Sequence, residues 1–188
     1  GVRVPVIVVL GLGEEGRSSA RYFIRRSGAA SVGLCDVSLL DGLHPDAREL
    51  LHEVEPSNMF LGSRWLDGLD GADLIVRSPG VSPWLPELLE AKARGVRVTS
   101  ATALFLERHG RHVIGITGTK GKSTVSTLVG SMLSLGAYRA VVVGNIGVPA
   151  LDHMLDAIAT VLRPLAAGIA GWCTFVGVHP ALGVAAAV

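Results

Sequence analysis

A glycine-rich turn followed by a lysine and two hydroxyl residues lies at 118–124, between an apolar run over 111–117 and a helix-like run over 125–135. Backbone N–H groups of such a turn approach phosphates closely, and the helix N-terminus behind it adds positive potential. Lysine and serine in this order can stabilise the β- and γ-phosphates of ATP and ligate Mg²⁺. Ile116 replaces the first glycine of the strict GxxxxGK[ST] pattern. The predicted ATP-binding residues are Gly118, Thr119, Lys120, Gly121, Lys122, Ser123 and Thr124, with Lys122 catalytic and Ser123 the metal ligand.

An ordinary glycine turn before a helix with a surface lysine is the alternative interpretation of these residues. The dense spacing of Gly118, Gly121 and Lys122, together with the strand before them and the helix after them, favours the phosphate loop.

A second glycine turn follows the first apolar run, with the sequence Gly11-Leu-Gly13-Glu-Glu-Gly16. It opens a helix-like segment, and Asp36 closes the next apolar run, where a dinucleotide fold places its ribose-binding carboxylate. The residues alone therefore favour a diphosphate ligand and leave NAD open. Glu14 and Glu15 stand where that diphosphate would approach, or they simply stabilise the positive end of the helix dipole.

Short apolar runs typical of buried strands alternate with runs typical of helices along the first half of the chain. Strands are predicted over 4–10, 31–35, 73–76, 96–98 and 111–117, and helices over 14–27, 86–94, 102–108 and 125–135, with a short helix beginning near Pro45. This alternation predicts an α/β fold with parallel pairing. A new strand–loop–helix unit begins after residue 110, so we predict domains over 1–110 and 111–188.

Composition narrows the class of protein. The chain has 188 residues, 49% hydrophobic and 18% charged, which is typical of a globular protein with a core. The formal net charge of +1 gives no electrostatic reason to expect nucleic acid binding. Two cysteines, Cys35 and Cys173, form no metal or disulfide pattern, and no secretory signal is visible. We therefore expect a cytoplasmic protein without stable membrane insertion.

Taken together, these residues resemble the Mur ligase family, and within it the members that add D-glutamate to UDP-N-acetylmuramoyl-L-alanine in peptidoglycan synthesis. Four landmarks in the family's order carry the resemblance, which covers residues 4–155. They are Gly11-Leu-Gly13 with Gly16, Ser78-Pro79-Gly80-Val81, Thr117 to Thr124, and Gly144-Asn145-Ile146-Gly147 with Pro149-Ala150-Leu151.

The resemblance implies a Rossmann-like N-terminal domain that binds the UDP part of the precursor, followed by a truncated P-loop-type α/β central domain. It implies that Asp36 meets the uridine and that Asn145 reaches the precursor from the second domain. The residues that would hold the diphosphate are Gly13, Glu14, Glu15, Gly16, Ser78, Pro79 and Gly80. The implied reaction uses ATP and Mg²⁺ to form an acyl phosphate, which the amine of D-glutamate attacks. We expect a monomer.

Several features depart from the family's pattern. Lys120 stands where the family usually has asparagine, and Glu15 where relatives tend to have a small hydroxyl residue. After residue 155 the further metal ligands and the third domain cannot be placed, and 161–188 is rich in alanine, glycine and valine. We therefore expect a truncated or frame-disrupted ligase chain that lacks turnover on its own. The uncharged run over 165–178 is too short and too interrupted for a membrane helix.

Two other functions remain open on the sequence. One is a non-catalytic module that binds a nucleotide or a UDP-sugar through the same glycine turns. The other is an NAD-binding Rossmann protein that uses Gly11 to Gly16 and Asp36.

Overall fold

The computed structural model describes residues 6–109, 113–135, 140–143, 149, 151–152, 166–169 and 171–178. By its contacts the chain divides into two compact units, Gly1–Ala101 and Thr102–Val188. The predicted assignment of domains to 1–110 and 111–188 stays a prediction.

The first unit is an α/β layer built on one five-stranded parallel sheet. Its strands are β1 (Ile7–Leu10), β2 (Val32–Asp36), β3 (Met59–Leu61), β4 (Leu74–Arg77) and β5 (Arg97–Thr99), and its helices are α1 (Glu14–Ser27), α2 (Pro45–Leu51) and α3 (Pro86–Ala93). The strand order is β3-β2-β1-β4-β5, and every pair is parallel. The α/β prediction with parallel pairing is confirmed for this unit.

The sheet is buried because its central strands are continuously apolar. All four residues of β1 are buried, which is typical of a parallel strand covered on both faces. Leu10 and Ile75 belong to a core cluster that also contains Leu88 and Ala91 of α3. Burying a leucine or isoleucine side chain of this kind contributes about 1.5–3 kcal/mol. This core holds the carboxyl ends of β1 and β4 in place.

The strand register brings three predicted site segments to one edge of the sheet. Leu10, the last residue of β1, pairs with Cys35 of β2 and with Arg77 of β4. Gly11 and Ser78 therefore follow strands that end beside Asp36, the last residue of β2. The strand order reverses between β1 and β4, and open parallel sheets bind ligands at the carboxyl ends of strands at such a point.

Helix positions follow the sequence closely. The predicted helix over 14–27 is α1, the helix beginning near Pro45 is α2, and α3 ends just before Gly95, whose φ is +85°. Only β3 has no counterpart among the predicted strands of the first unit. It is a three-residue edge strand, too short to show a period.

The second unit contains a strand–loop–helix segment and three further strands. After α4 (Ala101–His109), whose first residue closes the first unit, come β6 (Val113–Thr117), α5 (Lys122–Leu135), β7 (Ala140–Val143), β8 (Ala166–Ile169) and β9 (Gly171–Val178). The strand β9 lies between β6 and β7 and is antiparallel to both, and β8 pairs with β9. No helix in the described part of the chain is both long and apolar enough to span a membrane.

Candidate functional site

The glycine turn after β1 is held by backbone contacts at the carboxyl edge of the sheet. Gly11 has a φ of +89°, which favours glycine, and its N–H donates to the Cys35 carbonyl at 2.7 Å. A Cβ added to Gly16 would lie 1.8 Å from the Gly11 carbonyl oxygen and 2.6 Å from Ser78 Oγ. Gly16 is therefore required for the first turn of α1 to pack on the loop.

Ser78 joins the turn after β4 to the turn after β1. Its hydroxyl is buried and donates to the Gly11 carbonyl at 2.6 Å, while its N–H donates to the Leu10 carbonyl at 2.9 Å. The Val81 N–H donates to the Ser78 carbonyl at 3.1 Å, which closes the turn through Pro79 and Gly80. The two predicted diphosphate-binding turns are thus in direct contact.

Asp36 fixes the same loop from the side of β2. One carboxylate oxygen accepts from the Leu12 N–H at 2.7 Å, and the other accepts from the Ser38 N–H at 2.8 Å. Each oxygen retains a further lone pair. The sequence predicted a ligand-binding role for this residue but no role in shaping the loop.

Gly13 and Gly80 differ from the other described glycines of the first unit. Neither has a positive φ, and a Cβ built on either would meet no atom within 4 Å. Of the other glycines described in this unit, Gly33 and Gly42 would bring a Cβ only into ordinary contact, at 3.5 and 3.6 Å, and the rest have a positive φ or a neighbour too close for a Cβ. Neither backbone conformation nor packing within the protein therefore requires glycine at Gly13 and Gly80. Close approach of a ligand to the backbone would be a reason for glycine at both positions.

Two acidic residues occupy the first turn of α1. Glu14 is exposed, whereas Glu15 is half-buried and has one carboxylate oxygen fully buried without a hydrogen-bond partner. Burial, with the charge of Glu14, raises the pKa of Glu15 to about 7, against the opposing effect of the Arg77 charge. A carboxylate at this place exchanges its proton in the neutral range.

Two arginines at this edge were not singled out from the sequence. Arg77, the last residue of β4, donates from Nη1 to the carbonyls of Ser78, at 3.0 Å, and Val81, and its burial lowers its pKa. Arg17 donates to the Leu12 carbonyl at 3.3 Å and lies 3.5 Å from the Asp46 carboxylate. The position of Arg77 directly before Ser78-Pro79-Gly80 is the signal that could have identified it.

The glycine-rich turn of the second unit joins β6 to α5. Gly118 and Gly121 have φ values of +152° and +77°, and α5 begins directly after them at Lys122. The Val125 N–H donates to the Gly121 carbonyl at 3.0 Å, which starts the helix. Lys122 Nζ donates to the Gly118 carbonyl, so the lysine side chain folds across the loop.

The remaining motif residues face outward. Thr119, Lys120, Ser123 and Thr124 are exposed. Mg²⁺ at nucleotide sites takes one or two protein oxygens besides phosphate oxygens and waters, so the exposed hydroxyl of Ser123 fits a single-ligand role. In the described ranges no three His, Cys, Asp or Glu side chains cluster as a metal site.

The structure thus brings together Gly13, Glu15, Gly16, Asp36 and Ser78 at one edge of the first unit's sheet, with Glu14, Pro79 and Gly80 beside them. Residues 118–124 form one loop in the second unit. The remaining predicted site residue, Asn145, lies outside the described residues.

Comparison with known proteins gives a consistent result. A family model described as the N-terminal domain of MurD-like Mur ligases matches residues 5–100. The chain is 38% identical over 154 residues to UDP-N-acetylmuramoylalanine–D-glutamate ligase of Methylobacillus flagellatus, covering 81% of this chain and 33% of that protein. It is 40% identical over 153 residues to the enzyme of the same name in Saccharophagus degradans, covering 80% of this chain and 33% of that protein.

A third relative is named for L-glutamate, whereas the first two are named for D-glutamate. UDP-N-acetylmuramoyl-L-alanine–L-glutamate ligase of Micromonospora sp. is 36% identical over 151 residues, covering 80% of this chain and 32% of that protein. The chain spans about a third of the length of the curated relatives it matches.

Proposed function

The chain belongs to the Mur ligase family and has a MurD-like N-terminal domain, and on that premise we propose that it takes part in the ATP-dependent joining of glutamate to UDP-N-acetylmuramoyl-L-alanine in peptidoglycan synthesis. Its first unit binds the UDP-linked precursor at the carboxyl edge of the sheet. Its second unit binds Mg·ATP at Gly118–Thr124. The observation that carries the proposal is the open space at Gly13 and Gly80, two glycines that the protein's own packing does not require.

The precursor's diphosphate lies against the backbone of these two glycines. The first-turn N–H groups of α1 face it, because the first N–H groups of a helix have no partner within the helix. Ser78 and Asp36 hold the two turns in register through the hydrogen bonds to Gly11 and Leu12. The uridine lies beyond the end of β2 near Asp36.

The reaction proceeds through an acyl phosphate. A carboxylate oxygen of the precursor attacks the γ-phosphorus of ATP, and ADP leaves. The amine of glutamate then attacks the acyl carbon, inorganic phosphate leaves, and the amine proton passes to solvent. Lys122 stabilises charge on the β- and γ-phosphates, and the loop backbone orients them. When bound by Ser123, Mg²⁺ neutralises phosphate charge.

Titration calorimetry of the 188-residue chain tests the two binding steps separately. UDP-N-acetylmuramoyl-L-alanine and Mg·ATP should each bind. Lys122→Ala should weaken Mg·ATP binding by at least about tenfold, the loss of one strong charge-assisted contact, and leave precursor binding intact. Lys92→Ala, an exposed lysine of α3, is the matched control and should change neither. Failure of the precursor to bind, or tight binding of NADH at the same place, would contradict the proposal.

Phosphate release separates a ligase from a binding module. Release that requires ATP, the precursor and glutamate together supports the ligase, whereas binding of both ligands without release supports a module. D-glutamate and L-glutamate are compared in parallel, because both occur in the names of the relatives.

A further inference from the structure

Glu15 is a half-buried residue at the proposed precursor site, and, like the exposed Glu14, it has a charge unfavourable to an anionic ligand. It lies in the first turn of α1, between Gly13 and Gly16, where the diphosphate is proposed to approach. An ionised carboxylate there repels an anionic ligand and competes with it for the helix N-terminus. The proposed function alone therefore does not explain why an acidic residue lies where an anionic diphosphate is proposed to bind.

The surroundings of Glu15 favour its protonated form. The side chain is half-buried, and Oε2 is fully buried without a hydrogen-bond partner. A carboxylate only accepts hydrogen bonds, whereas a carboxylic acid also donates one. A buried charged oxygen without a partner is costly, so this carboxyl gains by taking up a proton and donating it to an acceptor.

Charged groups on the elements packed against α1 do not neutralise Glu15. Arg77 of β4 is the cation that acts on it, but Nη1 of that arginine is engaged by the carbonyls of Ser78 and Val81. Neither β1 nor the short turn over Ala29–Ser31 carries a charge. The other charged groups are Glu14, Arg17, Arg21, Arg25 and Arg26 on α1 itself, Asp36 of β2, and Asp46, Arg48 and Glu49 of α2.

Those remaining groups have other partners or lie at the surface. Asp36 accepts from two backbone N–H groups, Asp46 pairs with Arg17, and Arg48 donates to the Leu43 carbonyl. Arg21 has an interaction of its own, and Glu14, Arg25, Arg26 and Glu49 are exposed. Glu14 adds to the negative potential at Glu15.

We propose that Glu15 links precursor binding to protonation: the carboxyl takes up one proton from solvent as the precursor binds, and its O–H donates to an oxygen of the diphosphate. The inference rests on the proposed function of the first unit. In the ionised form the same group opposes binding. Dissociation of the precursor returns the proton to solvent, so the charge balance closes without any other reactant.

Affinity then follows the protonated fraction of Glu15. The pKa of about 7 places the change in the neutral range. Between about pH 6 and about pH 8 the protonated fraction falls about tenfold, and the apparent Kd rises by the same factor. The diphosphate and carboxylate of the precursor stay ionised across this range. His44 lies 3.2 Å from the Asp46 carboxylate at the start of α2 and is replaced in a control variant.

Calorimetry with the 188-residue chain and UDP-N-acetylmuramoyl-L-alanine tests this at about pH 6, 7 and 8, in buffers of different ionisation enthalpy. The wild type should bind about tenfold more weakly at the highest pH and take up protons on binding. Glu15→Gln should bind with constant affinity and no proton uptake. Glu15→Thr, which keeps a neutral donor, should also lose the pH dependence. Glu14→Gln and His44→Gln should retain it, whatever their effect on affinity.

The outcomes separate this inference from the proposed function. Precursor binding that is equal at all three pH values, or proton uptake that persists in Glu15→Gln, overturns the inference alone. Absence of precursor binding in both the wild type and Glu15→Gln, with cooperative thermal unfolding of each, overturns the proposed function and the inference with it.

Discussion

At the scale of single residues, Gly16 and Gly80 are glycines of the same candidate site for different reasons. A side chain at Gly16 would overlap the Gly11 carbonyl, whereas a side chain at Gly80 would enter open space. The first glycine belongs to the packing of α1 on its loop. The second has no such packing role, which is why ligand approach is proposed for it.

Substituting the two glycines should therefore separate folding from binding. Gly16→Ala places a Cβ within 1.8 Å of backbone, and we expect it to destabilise the first unit by about 3 kcal/mol or more. Gly80→Ala should change the free energy of unfolding by only about 0.5 kcal/mol while weakening precursor binding. Chemical denaturation and calorimetry measure the two effects. Equal precursor affinity in Gly80→Ala and the wild type would argue against ligand approach at this glycine.

Glu15 should also make stability depend on pH. Its pKa is raised from 4.5 to about 7, so the folded state holds the proton more tightly than the unfolded chain does. The stabilisation is fully present below about pH 4.5 and is lost as the pH rises to about 7, by an amount up to about 3 kcal/mol and less with solvent screening. Glu15→Gln should match the wild type near pH 4.5 and exceed it above pH 7 in denaturant titrations. A constant difference at every pH would contradict this.

At the scale of elements, Asp36 ties the end of β2 to the loop that precedes α1. Asp36→Asn leaves one acceptor oxygen and replaces the other with a donor, so one of the two N–H groups, of Leu12 or Ser38, loses its partner. The expected loss of stability is about 1–3 kcal/mol, with weaker precursor binding because the loop loosens. Asp41→Asn, at an exposed position, is the control and should change neither quantity. An Asp36→Asn variant as stable as the wild type would exclude this role.

The contact between α5 and β7 gives a second prediction. A Cβ on Gly130 would lie 2.4 Å from a methyl carbon of Val142, so Gly130→Ala should destabilise the second unit by about 1–3 kcal/mol. Val142→Ala removes the clashing methyl and should restore most of the loss in the double variant. Urea denaturation of the wild type, the two single variants and the double variant measures the interaction free energy between the two positions as a double-mutant cycle. Additive losses would show that the two residues do not meet.

The sequence predicted those helices and strands that a short run of neighbouring residues specifies. Helices α1 and α3 were found because a glycine turn precedes one and Gly95 ends the other. The parallel pairing of the first unit followed from the alternation of strands and helices. In contrast, β3 has three residues and pairs only with β2, at the edge of the sheet. The loop-holding role of Asp36 depends on strand register, which no local pattern encodes.

The two candidate sites also differ in how far neighbouring residues alone specify them. Residues 118–124 are contiguous, so one segment specifies the whole loop. The proposed precursor site draws on the ends of three different strands. The residues alone grouped the turn after β1 with Asp36, and the family resemblance added the turn after β4. Burial of Glu15 was not predicted, because a carboxylate in a first helical turn is usually solvated.

At the scale of the whole molecule, each unit presents a strand, a glycine turn and a 14-residue helix, and the charges in the two first turns differ. Two acidic residues begin α1, whereas Lys122 begins α5. The same backbone arrangement is therefore proposed to serve two different phosphate ligands. Because Glu15 and Lys122 lie in different units, a substitution at either one should affect the binding of only one ligand.

Each ligand should protect its own unit from hydrogen exchange. At about a hundred times its Kd, a ligand stabilises the folded form by about 2.7 kcal/mol. The precursor should slow exchange of amides in β1 and β4, and Mg·ATP should slow exchange in β6 and α5. Lys122→Ala should cancel only the second effect. Protection of β6 by the precursor alone would contradict the assignment of ligands to units.

The hydrogen bond from Ser78 to the Gly11 carbonyl joins residues that are 67 positions apart in the chain. The glycine turn after β1 emerges early during synthesis, but the hydroxyl that holds it arrives only with β4. Closing so long a segment carries an entropic cost that the pairing of β1 with β4 must offset. A ribosome-bound nascent chain that ends before residue 78 should therefore fail to retain the UDP-linked precursor. One that extends past β5, so that α3 can complete the core, should acquire this ability in a single step once the exit tunnel is cleared.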